Sequence, residues 1–173
     1  MPVSTRRDVA SPLAVAEAQA LLAHRALGHM SACTTTAEFV DAVNDLMFAA
    51  RGISHALAGL ARVSDGSERR RAFAAWFGAQ AGVVLQHPLQ TLHASSTEPP
   101  VVYMTRLARG SNAPPIREAL GLGRMPDVKP RPEDFFFDGA DKQPAIVMCA
   151  DYLDRVTSLL DLSKQAMKRF GLE

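Results

Sequence analysis

Isoleucine occurs three times in the 173 residues, tryptophan once and cysteine twice, and aromatic residues make up only 6%. Strand-favouring β-branched and aromatic side chains are therefore thin on the ground, which weighs against a mainly β protein. Cys33 and Cys149 stand alone, with no C-x-x-C and no Cys/His cluster, so a structural zinc site has no ligand set. They read as two buried thiols of a protein in a reducing compartment. No run of 18 apolar residues occurs, so the sequence contains no segment suited to cross a bilayer. Arg6 and Arg7 precede an apolar stretch in the manner of a leader, but Glu17 and Gln19 interrupt it at helical spacing. The expected location is the cytoplasm. The formal net charge is +1, so bulk charge points to neither nucleic acid nor acidic lipid.

What the chain has in abundance is alanine, with 28 residues. Alanine is the best helix former. With 47% hydrophobic and 21% charged residues and a mean hydropathy of −0.01, the composition is that of a globular domain. A chain of this length buries about 70% of its unfolded surface and needs no staple. The reading is a flexible tail over 1–10 and a single helical domain over 11–173.

Periodicity places four helices. Ser11 is an N-cap with Pro12 at the first helical position, and helix one runs to about Leu27, with Gly28 as its stop. Thr35 and Glu38 form a capping box for helix two, which runs to about Ser64. Phe39, Val43, Leu46, Ala50, Ile53, Leu57 and Leu60 recur at steps of four and three, the strongest periodic signal in the chain. A helix of that length spans about 40 Å and needs partners of similar length. Ser67 caps helix three, which carries Phe73, Trp76, Phe77, Ala81, Val84 and Leu85. Its first turn holds Arg69, Arg70 and Arg71, the unfavourable sign for the helix dipole. Pro88 breaks the helix near His87 into a kink, with Leu89 and Leu92 continuing the apolar face. The last helix begins near Pro144, with Asp141 as a nearby cap, and repeats apolar positions through Ile146, Cys149, Leu153, Val156, Leu160, Ser163, Met167 and Phe170 before Gly171 closes it. The fold class is mainly α: an up-and-down four-helix bundle.

Between helices three and four lies an irregular excursion over 95–142, holding seven of the 11 prolines between Pro99 and Pro132. Val101–Leu107 is its strand candidate, a short strand or hairpin. Ile116–Leu122 reads as a short helix and the stretch from Met125 to Gln143 as irregular. Phe135, Phe136 and Phe137 are too apolar to remain in water and should dock on the bundle or on a second subunit.

Chemistry-bearing patterns are incomplete. The five histidines, His24, His29, His55, His87 and His93, form no shared metal face, and no E-x-x-H motif of a di-metal bundle occurs. Asp41 with Asp45, and Asp151 with Asp154, each share a helix face and are read as solvated pairs. No P-loop, G-x-G-x-x-G or G-x-S-x-G motif is present. No metal and no cofactor is expected. Local charge is less even than the total. Arg106, Arg109, Arg117 and Arg124, with Lys129 and Arg131, give the excursion a basic balance suited to touching a phosphate backbone, or to forming salt bridges with Glu133, Asp134 and Asp138. Arg51 lies beside the apolar stripe of helix two, placed to pair with an acidic group of another helix or to face water. Together with Ala50, Ile53 and Trp76 it is expected to organise the bundle.

One ordered pattern goes further. FVDAVNDLMFAARGISHAL on helix two, FAAWFGAQAGVVLQHPLQTL on helix three, then FFFDG and IVMCADYLDRVTSLLD, from Ala37 to Phe170, resemble bacterial helical proteins related to the HEPN superfamily. Active HEPN ribonucleases carry an Arg, four to six residues and a His at a helix end, facing a twin across a dimer. There the His moves protons and the Arg stabilises the phosphorane. The matching place in this chain is the end of the Pro88 helix, where His93 stands without the Arg; Arg25 to His29 and Arg51 to His55 are one residue too short. The resemblance thus implies the fold, a homodimer and binding of an RNA or protein partner in a bacterial defence or toxin–antitoxin setting, without the nuclease pair. A diverged metal-independent ribonuclease using His93, and a structural assembly subunit, are the two rival expectations.

Overall fold

The computed structural model describes residues 11–62, 67–84, 86–89, 104–106, 131–137 and 143–172. Among them the protein is mainly helical. Its long helices are α1 (Pro12–Ala32), α2 (Thr36–Arg62), α3 (Glu68–Val84) and α4 (Ala145–Phe170).

Helix α1 starts where Ser11 Oγ accepts from the Ala14 amide at 3.2 Å, with proline following the cap. It does not stop at Gly28 but continues to Ala32. Met30, on the additional turn, is fully buried, so core packing outweighs the cost of a glycine in mid-helix. The chain then turns through Cys33–Thr35. Glu38 Oε2 accepts from the amides of Thr34 and Thr35 and from the Thr34 hydroxyl, while Thr35 Oγ1 accepts from the Glu38 amide. This is the reciprocal box expected from the sequence. These bonds to Thr34 and Thr35 hold the Glu38 carboxyl below its ordinary value of 4.5 against a smaller cost of desolvation.

So short a connection turns α2 back along α1, and the two pack more extensively than any other pair. Three of the four buried residues of α1 are alanines, Ala16, Ala23 and Ala26, and they face a helix that buries Ala42, Ala49 and Ala50. Small side chains let the backbones approach closely. At Gly52 the Gln19 side chain lies where a Cβ would stand, 2.8 Å from its Cγ. The stripe Phe39, Val43, Leu46, Ala50, Ile53 and Leu57 is fully buried, and Leu60 packs against the core from its edge.

Helix α3 is capped by Ser67, whose Oγ accepts from the Arg70 amide at 3.3 Å. Phe73 and Phe77 are buried, whereas Trp76 is only partly so and tilts against Phe73. Trp76, expected among the residues that organise the bundle, packs against the core from its edge. Phe73 meets Phe170 edge-on at 6.2 Å, and the Arg69 guanidinium would meet a Cβ on Gly171 at 3.2 Å. The start of α3 therefore lies at the end of α4, and the two run antiparallel. Arginines of the wrong sign for their own helix put one positive charge at the negative end of a neighbour. Helix α4 closes as expected: Gly171 has φ +64°, its amide donates to Lys168 O, and the Leu172 amide donates to Met167 O. Its start has no side-chain cap; Pro144 occupies that position, and Asp141 lies outside the described residues.

Parts of the excursion are described. Met104–Arg106 pairs antiparallel with Phe135–Phe137, and a 3-10 turn covers Pro132–Asp134. This corrects the irregular reading of that last stretch. Phe135 explains the order, because its ring is fully buried and stacks on Phe39 at 4.1 Å and 12°. The expected tail over 1–10, the helix at Ile116–Leu122, Leu92 and the rest of the excursion lie outside the described residues.

Candidate functional site

The residues singled out from sequence separate on the structure. His93, Arg109, Arg117 and Arg124 lie outside the described residues, and Arg106 is described only as backbone of its strand. His24, His29 and His55 are exposed. Among the described residues no acidic group of another helix pairs with Arg51; its Nε donates to His55 Nε2 at 3.2 Å, one turn along α2. Asp41 and Asp45 face water, as expected. Among the described residues no group of three metal-ligating side chains comes together.

The polar cluster that does form is elsewhere, at the end of α3. The His87 amide donates to Val84 O at 3.1 Å, turning the chain out of the helix, and Pro88 prevents the ladder from resuming unbroken. The turn drives the His87 side chain inward to 4% exposure. There Nδ1 accepts from the Leu89 amide at 3.2 Å, and Nε2 lies 3.2 Å from Asp151 Oδ2 on α4. One nitrogen accepts and the other donates, which defines a neutral imidazole with its proton on Nε2. Asp151 Oδ2 also accepts from Arg155 Nε at 3.0 Å, one turn along α4. The imidazole tilts against Tyr152, with centroids 5.1 Å apart. Tyr152 is fully buried and shares a hydrogen bond with Ser54 of α2.

Desolvation pushes the His87 pKa below its ordinary value of 6.5; the Asp151 charge opposes this and the Arg155 charge adds to it. Burial raises the Cys149 thiol to about 12 and the Tyr152 phenol to about 12, the latter against a smaller opposing effect of Ser54. At neutral pH both are protonated and neither is a nucleophile.

This geometry fixes what the cluster does. A catalytic imidazole presents one nitrogen to a substrate proton while the other is oriented by a carboxylate or carbonyl. In His87 both nitrogens are already taken by the protein. The residue acts as a clasp that ties the turn after α3 to the first half of α4.

Beside the clasp lies an open groove of about 310 Å³ between α3 and α4, lined by Gln80, Val84, Asp154, Arg155, Ser158, Leu159 and Leu162. Its lining is mostly apolar, with polar groups from Gln80, Asp154, Arg155 and Ser158. Leu162 is 42% exposed there. Asp151 and Asp154, expected as a solvated pair, are both exposed, but Asp151 joins His87 to Arg155 and Asp154 lines the groove. The i,i+4 spacing of Asp151 and Arg155 was a visible signal for half of the cluster. The contact with His87 had none.

Comparison of the chain with protein-family models, with curated proteins and with solved structures gave no match. No described helix is long and apolar enough to cross a membrane.

Proposed function

We propose that the protein is a non-catalytic, HEPN-like helical bundle, its helices in up-and-down order around an irregular excursion. It acts in the cytoplasm as a homodimer that binds a protein or RNA partner. The observation that carries the binding reading is the groove between α3 and α4. A two-fold interface must be complementary to itself. A patch that sets the carboxylate of Asp154 and the guanidinium of Arg155 beside the apolar Val84, Leu159 and Leu162 meets that condition. The clasp removes His87 as a catalytic base, because both its nitrogens are spent on structure.

Light scattering on the purified chain tests this directly. The wild type is expected to have the mass of a dimer, and Leu162→Glu, which places a charge on the exposed rim, the mass of a folded monomer. A monomeric wild type at high micromolar concentration would remove the dimer. RNA binding is tested separately by affinity against salt: a slope near zero means that Arg106, Arg109, Arg117 and Arg124 neutralise few phosphates and that the partner is protein.

A further inference from the structure

We propose that the turn Gln86–Leu89 is a proton-operated latch: protonation of His87 at Nδ1 expels the Leu89 amide and releases the turn from α4. The geometry leaves the imidazole no other place for a second proton. Nε2 already carries the hydrogen directed at Asp151. Nδ1 is the sole remaining acceptor and it faces the Leu89 N–H at 3.2 Å. Adding a proton there sets two N–H groups against each other and leaves the Leu89 amide without its acceptor, next to a fully buried Leu89 side chain.

Among the described residues, the charged and titratable groups placed at the ring come from α4. Asp151 touches it, Arg155 stands behind Asp151, and Tyr152 lies against its face, still protonated throughout this range. Asp151 favours the cation and Arg155 opposes it. The clasp is thus set between two opposite charges, one of which can be removed at a time. Release frees the end of α3 without disturbing the α1–α2 hairpin, whose capping box titrates only in a more acidic range. The latch shares Val84 and Arg155 with the groove of the dimer reading, but its measurement, exchange at the Leu89 amide, is separate from the oligomeric state.

Amide hydrogen exchange of the full-length protein, resolved by residue and corrected for the intrinsic pH dependence of exchange, tests it. Protection of the Leu89 amide should fall as pH drops below about 6.5, by up to about tenfold per pH unit. Protection of Ala50 in α2 should hold over the same range. Asp151→Asn retains a carbonyl acceptor for Nε2 and removes the negative charge, so the midpoint for Leu89 should move to lower pH. Arg155→Gln should move it to higher pH. Leu89 protection that does not change with pH overturns the latch. So do Ala50 and Leu89 losing protection together, or shifts of the wrong sign in the two variants.

Discussion

The α1–α2 hairpin and the α3–α4 pair are held by different forces. The hairpin is a zipper of small and apolar side chains closed by a local capping box, and each of its determinants lies within a few residues of the turn or on one regular stripe. The α3–α4 pair adds a polar contact between residues distant in sequence, His87 with Asp151, and sets the Arg69 guanidinium beside Gly171 at the end of α4. Packing of the first kind depends on volume, and only the Glu38 box at its turn responds to acid. Packing of the second kind depends on protonation state and charge. The two halves of one small core should therefore respond differently to the same perturbation.

The largest effect should come from the apolar half. Phe39→Ala removes a fully buried ring from its stack on Phe135 and is expected to cost about 3–5 kcal/mol in denaturant unfolding. A much smaller loss would mean that the hairpin does not depend on volume. His87→Ala strips the Leu89 amide of its acceptor and should cost about 1–3 kcal/mol at neutral pH.

The same variant sharpens the comparison under acid. His87 binds its proton less readily folded than unfolded, so the unfolded chain takes up more protons below 6.5 and wild-type stability falls as pH drops through that region. His87→Ala should lack this part of the loss. Glu38 behaves with the other sign of shift. Its contribution is complete above 4.5 and disappears as pH falls through its lower folded value. Two separate acid losses, the α3–α4 side first and the capping box second, are expected in a pH series of thermal melts. A single coincident loss would erase the distinction between the halves.

Smaller still, Thr35→Ala should cost about 1 kcal/mol by removing the hydroxyl that receives the Glu38 amide. Gly28→Ala should stabilise the protein by about 0.5–1 kcal/mol, since a Cβ there meets nothing within 4 Å and the helix gains in propensity. Gly52→Ala should gain less, because the new carbon has to displace Gln19.

The same division explains what could be read from sequence. Helix two was legible almost residue by residue, because the steps from Phe39 to Leu57 follow the geometry of one helix and the capping box is written within four positions. Gly171 was legible for a similar reason: a glycine after a periodic run is a local stop signal. Gly28 misled, because Met30 finds a place in the core and burial outbids local preference. Trp76 packs at the edge of the core while Ala50 and Ile53 lie inside it, a difference that residue type alone does not show. For the site, His87 was seen only as a neighbour of Pro88, and Asp151 only as one of two carboxylates on a face. Their meeting depends on the way α3 runs back along α4, and no spacing rule connects the two positions.

The placement of Arg69 over Gly171 has a bearing on how the chain is made. During synthesis the arginine-rich first turn of α3 emerges well before the segment that will accommodate its charge. Until that later segment arrives, α3 has an N-terminus at odds with itself, and a nascent chain that ends before α4 should leave this stretch largely uncoiled.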